Sequence, residues 1–186
     1  MIKQVADIET AEILRIAQEC LEIEGDFVEM GCYEGDTSIK LAEILQYTNK
    51  RLWLYDSFEG LPKKSVEDES AIGTMFNEGV LAVSKREVKL RFLRAGLPVP
   101  IIKKAWFSDL VNDDLPERIA FAFLDGDLYE SIKDSLKLVT DKMVSGGVVI
   151  VHDYNNPELP GVSKAVDEWI SARKLEQKAS LAIIRF

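Results

Sequence analysis

The stretch Ile119-Ala-Phe-Ala-Phe-Leu124 is apolar at every position, which fits neither the period of an amphipathic helix nor the alternation of a half-exposed strand. A run so short and so uniform reads as a strand covered on both faces, the condition of strands in a parallel sheet flanked by helices. It stops at Asp125-Gly126-Asp127. A second run, residues 148–151, follows Gly146-Gly147 and stops at His152-Asp153-Tyr154. Between the two, residues 129–143 carry a helical apolar stripe, so the strands are joined by a crossover helix and point the same way.

The remaining chain repeats that unit. Residues 10–24 read as a helix with Thr10 as N-cap. A short strand then ends in Glu29, a turn opens at Gly31 and closes at Gly35, and a helix is expected over 38–47. Residues 51–55 form the next strand, stopping at Asp56. Ser84-Lys85-Arg86-Glu87 has the form of a capping box and opens a helix that Gly96 ends. A strand over 99–103 precedes Trp106-Phe107. After Pro157 and Pro160, a helix over 163–174 and one last strand over 180–186 complete the pattern. The expected fold class is α/β, a doubly wound, mostly parallel sheet whose ligands gather at the carboxyl ends of its strands.

Composition narrows the partners. With 186 residues, 47% of them hydrophobic, residues 1–186 are expected to form one domain. Thirty-two acidic residues against 23 basic ones give a net charge of −9, and no basic cluster offsets it, so nucleic acid is excluded as an expected partner. No apolar run approaches the roughly 18–20 residues of a membrane span and the N-terminus is polar, so a cytoplasmic protein with no membrane contact is expected. A homo-oligomer is left open. Cys20 and Cys32 lack metal-type spacing and read as buried free thiols. Residues 60–77 are polar, charge-mixed and without period; so long a loop implies a role, here a lid.

Chemistry collects at the strand ends, at Glu29, Asp56, Trp106, Asp125 with Asp127, and His152 with Asp153. Carboxylates crowded on one edge repel unless a cation or a hydroxyl-rich ligand offsets them. Asp125 and Asp153 are therefore expected to hold a divalent metal, most simply magnesium. Side chains alternate along a strand, so His152 should face away from Asp153, leaving Asp127 or water as third ligand. Helix N-capping is the competing role for Asp125 and Asp153, and Asp127 is expected to cap the helix it precedes. Glu29 and Asp56 would hold a cofactor's polar groups, Asp56 standing 21 residues beyond Gly35, the spacing of an acid that grips ribose hydroxyls. Gly31 would let the chain turn and a ligand approach, and Gly35 would let the next helix pack closely. Cys32 and Tyr33 in the turn, Thr37 and Ser38 at the helix start, and Ser57 and Phe58 after the second strand complete the expected cofactor-binding set, with Trp106 offering a face for a base.

Five segments together resemble a known family. Glu29-Met-Gly-Cys-Tyr-Glu-Gly, Tyr55-Asp-Ser-Phe-Glu-Gly-Leu-Pro, Leu124-Asp-Gly-Asp-Leu-Tyr-Glu-Ser, Gly146-Gly-Val-Val-Ile-Val-His-Asp-Tyr and Lys164-Ala-Val-Asp-Glu are similar to the macrocin O-methyltransferases, class I S-adenosylmethionine-dependent enzymes with a Rossmann-like fold. The resemblance implies that Glu29, Gly31, Gly35 and Asp56 bind S-adenosyl-L-methionine, with Asp125 bordering it, and that Asp125 and Asp153 are metal ligands, for Mg2+ by their hard oxygen donors; the family name does not carry the methyl acceptor, and a hydroxyl of a small molecule, sugar-like or a vicinal diol, fits a metal-bridged oxygen. Asp125, Asp127 or His152 would take the acceptor's proton. The chain departs from the family in having His152 where Asp is usual and in showing one terminal strand where two are usual; its N-terminal region is short, so acceptor-binding parts are expected to be reduced. Two other classes stay in view. Tyr129-x-x-x-Lys133 has the spacing of a nicotinamide-dependent oxidoreductase, although the three-glycine loop is missing. A catalytically silent interaction domain could keep the same fold.

Overall fold

A computed structural model describes residues 5–171 and 173–186. Seven strands form one sheet in the order β3-β2-β1-β4-β5-β7-β6. They are β1 (Asp26–Met30), β2 (Leu52–Asp56), β3 (Ile101–Lys104), β4 (Ile119–Leu124), β5 (Met143–Val151), β6 (Leu175–Lys178) and β7 (Leu181–Arg185). The first five run parallel, while β7 is antiparallel to both β5 and β6. Strand order reverses between β1 and β4, which places a crevice outside their carboxyl ends.

Among the described residues five α-helices cover the sheet: α1 (Asp7–Glu19), α2 (Asp36–Leu45), α3 (Lys85–Arg94), α4 (Tyr129–Thr140) and α5 (Pro160–Ile170). Alternation along each strand sorts the core into two layers. Phe27, Leu54, Phe121, Phe123 and Ile150 meet α1, α2 and α3 on one face. Val28, Met30, Ala122, Leu124 and Val149 meet α4 and α5 on the other. All six residues of β4 are buried, as its uniform apolar run requires.

Several expectations are corrected. The first helix begins at Asp7, before Thr10, because Glu9 reaches back to accept the Ala6 N–H at 3.2 Å. Gly146-Gly147 does not separate helix from strand: β5 starts at Met143, and the two glycines sit inside it where the pairing with β4 slips register, Gly146 at φ 84°. Two terminal strands are present, not one. The sequence hid β6, Leu-Glu-Gln-Lys, because it is an edge strand with three of its four residues exposed and so carries no apolar alternation. The Ser84 cap matches expectation, Ser84 Oγ accepting the Glu87 N–H at 3.1 Å and Glu87 the Ser84 N–H at 2.9 Å.

Candidate active site

The carboxyl ends of β1 to β5 open into a cavity of about 660 Å³. Its floor is the β1–α2 turn. Gly31, at φ 89°, lies against the carbonyl of Asp125, where a Cβ would collide, so the neighbouring strand end by itself requires the glycine. Gly35 has φ 85°, but a Cβ there would meet Val88 at an ordinary 3.5 Å; its backbone angle, not tight helix packing, accounts for it. Arg91 of α3 fastens the turn from outside by donating to the Glu34 carbonyl at 2.7 Å and pairing with Asp36.

Asp56 organises the main chain around itself. Its Oδ2 accepts the N–H groups of Cys32 at 2.9 Å and Tyr33 at 3.1 Å, and its Oδ1 accepts that of Phe58 at 2.7 Å. Each carboxylate oxygen keeps acceptor capacity beyond these bonds. Beside it Glu29 is 1% exposed, and its Oε2 has no hydrogen-bond partner. Burial, reinforced by the charges of Asp125 and Asp56, pushes the Glu29 carboxyl up to about 8. A buried, unpartnered oxygen bordering a cavity is a site waiting for a donor.

The β4 and β5 ends are built differently. His152, 4% exposed, stands with Nδ1 at 2.9 Å from Asp125 Oδ1 and 3.1 Å from Asp153 Oδ2, and with Nε2 at 3.3 Å from Glu9 Oε2. Ligand atoms of Asp125, His152 and Asp153 all lie within 4.8 Å of one another. The expectation that His152 faces away from Asp153 is overturned. Strand β5 ends at Val151, and Asp153 takes φ 59°, so alternation no longer governs where its side chain points. Asn156 Nδ2 steadies it by donating to Oδ1 at 2.8 Å. Burial works against charging His152, yet the carboxylates of Asp125, Asp153 and Glu9 hold its pKa well above the usual range. The hydrogen bond from His152 in turn draws Glu9 down to about 2.

Asp127 does not cap α4. It adopts φ 61°, and the Tyr129 N–H is taken instead by Asp68 Oδ1 at 2.7 Å, reaching in from the 60–77 segment. Burial, then the charges of Asp125 and Asp153, raise the Asp127 carboxyl well above its ordinary value. Of the expected cofactor set, Glu29, Gly31, Cys32, Tyr33, Gly35, Thr37, Asp56, Ser57, Trp106 and Asp125 line the cavity. Ser38 and Phe58 do not: Ser38 is fully buried and Phe58 packs into the core beneath α2 and α3. Tyr129 and Lys133 are engaged on Glu168 and Glu130 and stand outside the cavity, so the oxidoreductase pair is not assembled there. Cys20 and Cys32 are buried free thiols, as expected.

Reading the sequence missed Glu9, Asp68, Arg91 and Asn156. Glu9 had a signal: it shares the buried face of α1 with Ile13, Ile16 and Ala17, and a carboxylate on that face must be buried and paired.

Residues 5–182 match the family model described as Macrocin-O-methyltransferase (TylF). The chain is 35% identical over 151 residues to an 8-demethyl-8-(2,3-dimethoxy-alpha-L-rhamnosyl)-tetracenomycin-C 4'-O-methyltransferase of Streptomyces olivaceus, covering 74% of this chain and 58% of that protein. It is 32% identical over 166 residues to a demethyldecarbamoylnovobiocin O-methyltransferase of Streptomyces niveus, covering 82% and 63%. The chain thus spans about three-fifths of these curated relatives. Among solved structures, the O-methyltransferase NovP superposes with a TM-score of 0.78 at 30% identity, over 92% of this chain and 78% of that one. The calicheamicin methyltransferase CalS11 gives 0.81 at 20% identity, over 96% and 79%, a likeness of fold alone. The fold is the Rossmann-like class I methyltransferase fold. None of the described helices is long and apolar enough to cross a membrane.

Proposed function

Since this chain belongs to the macrocin-O-methyltransferase family, we propose that it transfers a methyl group from S-adenosyl-L-methionine to a hydroxyl of a small, sugar-like or vicinal-diol acceptor, with help from a divalent cation. The observation that carries this reading is one cavity bordered by the buried Glu29, whose Oε2 lacks a hydrogen-bond partner, by Asp56 at the end of β2 and by the Asp125–His152–Asp153 group. One named relative acts on a rhamnosyl-bearing tetracenomycin and another on demethyldecarbamoylnovobiocin, which supports a small-molecule acceptor.

The residues suit the cofactor. Asp56 has spare acceptor capacity for ribose hydroxyls beside a turn it already holds rigid. Glu29 Oε2 offers a buried acceptor to an ammonium or hydroxyl. Trp106 gives the adenine a flat apolar face across the cavity. S-Adenosylmethionine, when bound, supplies an electrophilic sulfonium methyl. What the chain must add is in-line placement of the acceptor oxygen and removal of its proton.

Asp125 and Asp153, with His152 between them, form a donor set that fits a divalent cation; such an ion would fix the acceptor hydroxyl and lower its pKa. His152 is a poor base here, because both ring nitrogens are engaged by carboxylates. Asp127 borders the cavity with no hydrogen bond engaging its carboxylate among the described residues, and takes the role of proton acceptor. Residues 60–77 serve as the lid, with Leu61, Pro62 and Phe76 on the cavity wall excluding water from the transfer.

Calorimetry with S-adenosylmethionine and, separately, NADH tests the reading. Saturable heat with the first and none with the second is expected; the reverse result would replace the methyltransferase with an oxidoreductase.

A further inference from the structure

Resting on the methyltransferase reading, we infer that the cation site between β4 and β5 is built for a first-row transition ion, of the manganese(II) to zinc(II) class, in preference to magnesium, with Asp125, His152 Nδ1 and Asp153 as ligands and Glu9 as the residue that orients the imidazole. The first part of the argument is donor chemistry. Three ligands held by one ion at about 2.0–2.2 Å must approach within about 4.4 Å of one another, and those of Asp125, His152 and Asp153 lie within 4.8 Å already. One of the three is an imidazole nitrogen, at 2.9 Å and 3.1 Å from the two carboxylate oxygens. Magnesium selects hard oxygen donors and parts reluctantly with its water, whereas imidazole suits the transition ions.

The second part is tautomer control. A metal-binding imidazole needs its other nitrogen protonated and donating, commonly to a carboxylate. Here Glu9 provides that acceptor at Nε2, 3.3 Å away, so an ion that takes the place of the Nδ1 proton shared with Asp125 and Asp153 would leave Nε2–H donating to Glu9 and the ring aimed at the ion. Glu9 is itself fixed: it accepts the Ser180 N–H at 3.0 Å, the Ser180 hydroxyl and the Ala6 N–H. A buried carboxylate on the buried face of α1, tied to the β6–β7 turn, is a costly arrangement for a histidine with no particular direction to keep.

Metal-depleted wild-type protein should be titrated with manganese(II) and followed by electron paramagnetic resonance, with magnesium as competitor. Expected are one manganese per chain, displaced by magnesium only at an excess of at least about tenfold, and a pulsed spectrum carrying imidazole nitrogen modulation. Glu9→Gln should keep that modulation while weakening manganese binding about 10–100-fold, and His152→Asp should turn the preference toward magnesium. Because His152→Asp crowds a third acid into the cluster and could unfold it, the wild-type spectrum decides. Absence of nitrogen modulation, displacement by equimolar magnesium, or no manganese bound at all overturns the inference. S-Adenosylmethionine calorimetry on the same sample separates the two readings: heat from the cofactor without manganese binding sinks only the metal inference, whereas no cofactor heat sinks the methyltransferase reading itself.

Discussion

At the ends of β1 and β2, acid side chains are surrounded by main chain: Asp56 accepts three backbone N–H groups, and Glu29 stands beside it with an oxygen that nothing accepts or donates to. At the ends of β4 and β5 the acids are surrounded by side chains drawn from distant parts of the sequence, His152 bridging Asp125, Asp153 and Glu9, with Asn156 behind. The first region is a preset cradle that local sequence specifies. The second is a network in which every charge depends on another, so a single deletion leaves a buried group unpaired. Substitutions should therefore have separable consequences on the two sides.

The largest effect is expected from Asp153→Ala. Losing a carboxylate of the proposed cation site should lower methyl transfer by something on the order of 10²–10⁴-fold, while S-adenosylmethionine affinity, which the proposed function assigns to β1 and β2, stays within about threefold. A parallel collapse of turnover and cofactor binding would show that the two regions act as one and would break the comparison; full activity in this variant or in EDTA would remove the metal from the mechanism.

Glu29 sharpens the contrast through pH. Its folded pKa is raised from 4.5 to about 8, so the native state favours the neutral carboxyl. The unfolded chain gives up that proton near pH 4.5, the folded one only near pH 8, and stability therefore falls as pH rises through that window. At about 1.4 kcal/mol per pH unit the loss is at most about 5 kcal/mol. Glu29→Gln should flatten this dependence, becoming more stable relative to wild type at pH 8 than at pH 5 in denaturant titrations. Parallel curves for the two proteins would mean that Glu29 is already ionised when buried.

Asp56→Ala should weaken S-adenosylmethionine binding at least about tenfold, since hydrogen bonds to a charged acceptor are worth roughly 1.5–3 kcal/mol each. The same deletion frees the N–H groups of Cys32 and Tyr33, so part of the loss is loosening of the turn. Asp56→Asn, keeping one acceptor oxygen, should recover part of the affinity. Unchanged binding in Asp56→Ala would sink the ribose assignment.

The difference between the regions also explains what could be read in the chain. The turn after β1 was legible in part because it is local, with a strand, two left-handed glycines and an acid at a fixed distance in one unit, although Gly31 answers to the Asp125 carbonyl of a strand far off in the chain. The parallel sheet was legible from Ile119–Leu124 for a similar reason, since only burial on both faces tolerates six apolar residues in a row. The network was not. Glu9 and His152 are 143 positions apart, and the alternation rule that should have aimed His152 fails because the strand has ended and Asp153 has turned into the left-handed region. Edge strand β6 was invisible because exposure removes the apolar pattern on which strand recognition depends.

The smallest effect concerns the segment that touches both regions. Asp68 accepts the Tyr129 N–H at the start of α4 at 2.7 Å and the Ser65 N–H at 2.9 Å, and Ser70 Oγ donates to the Pro157 carbonyl at 2.9 Å. Gly161 leaves room for the Asp68 carboxylate, which a Cβ would strike. The exposed Lys164–Glu67 pair, at 3.3 Å, adds little beside these. Asp68 thus fastens residues 60–77 to the helix that follows Asp125 and Asp127, with its negative charge on a helix N-terminus. Asp68→Ala should cost about 1 kcal/mol of this docking, roughly a fivefold rise in the open population, seen as faster limited proteolysis within 60–77. Cofactor with acceptor should slow the cutting in both proteins, and more in the variant, if the segment closes as a lid over the bound pair. Equal cutting of the two proteins would make Asp68 a helix cap and nothing more. Faster cutting that ligands leave unchanged would make the segment a passive loop, and would leave exclusion of water from the transfer to the cavity walls alone.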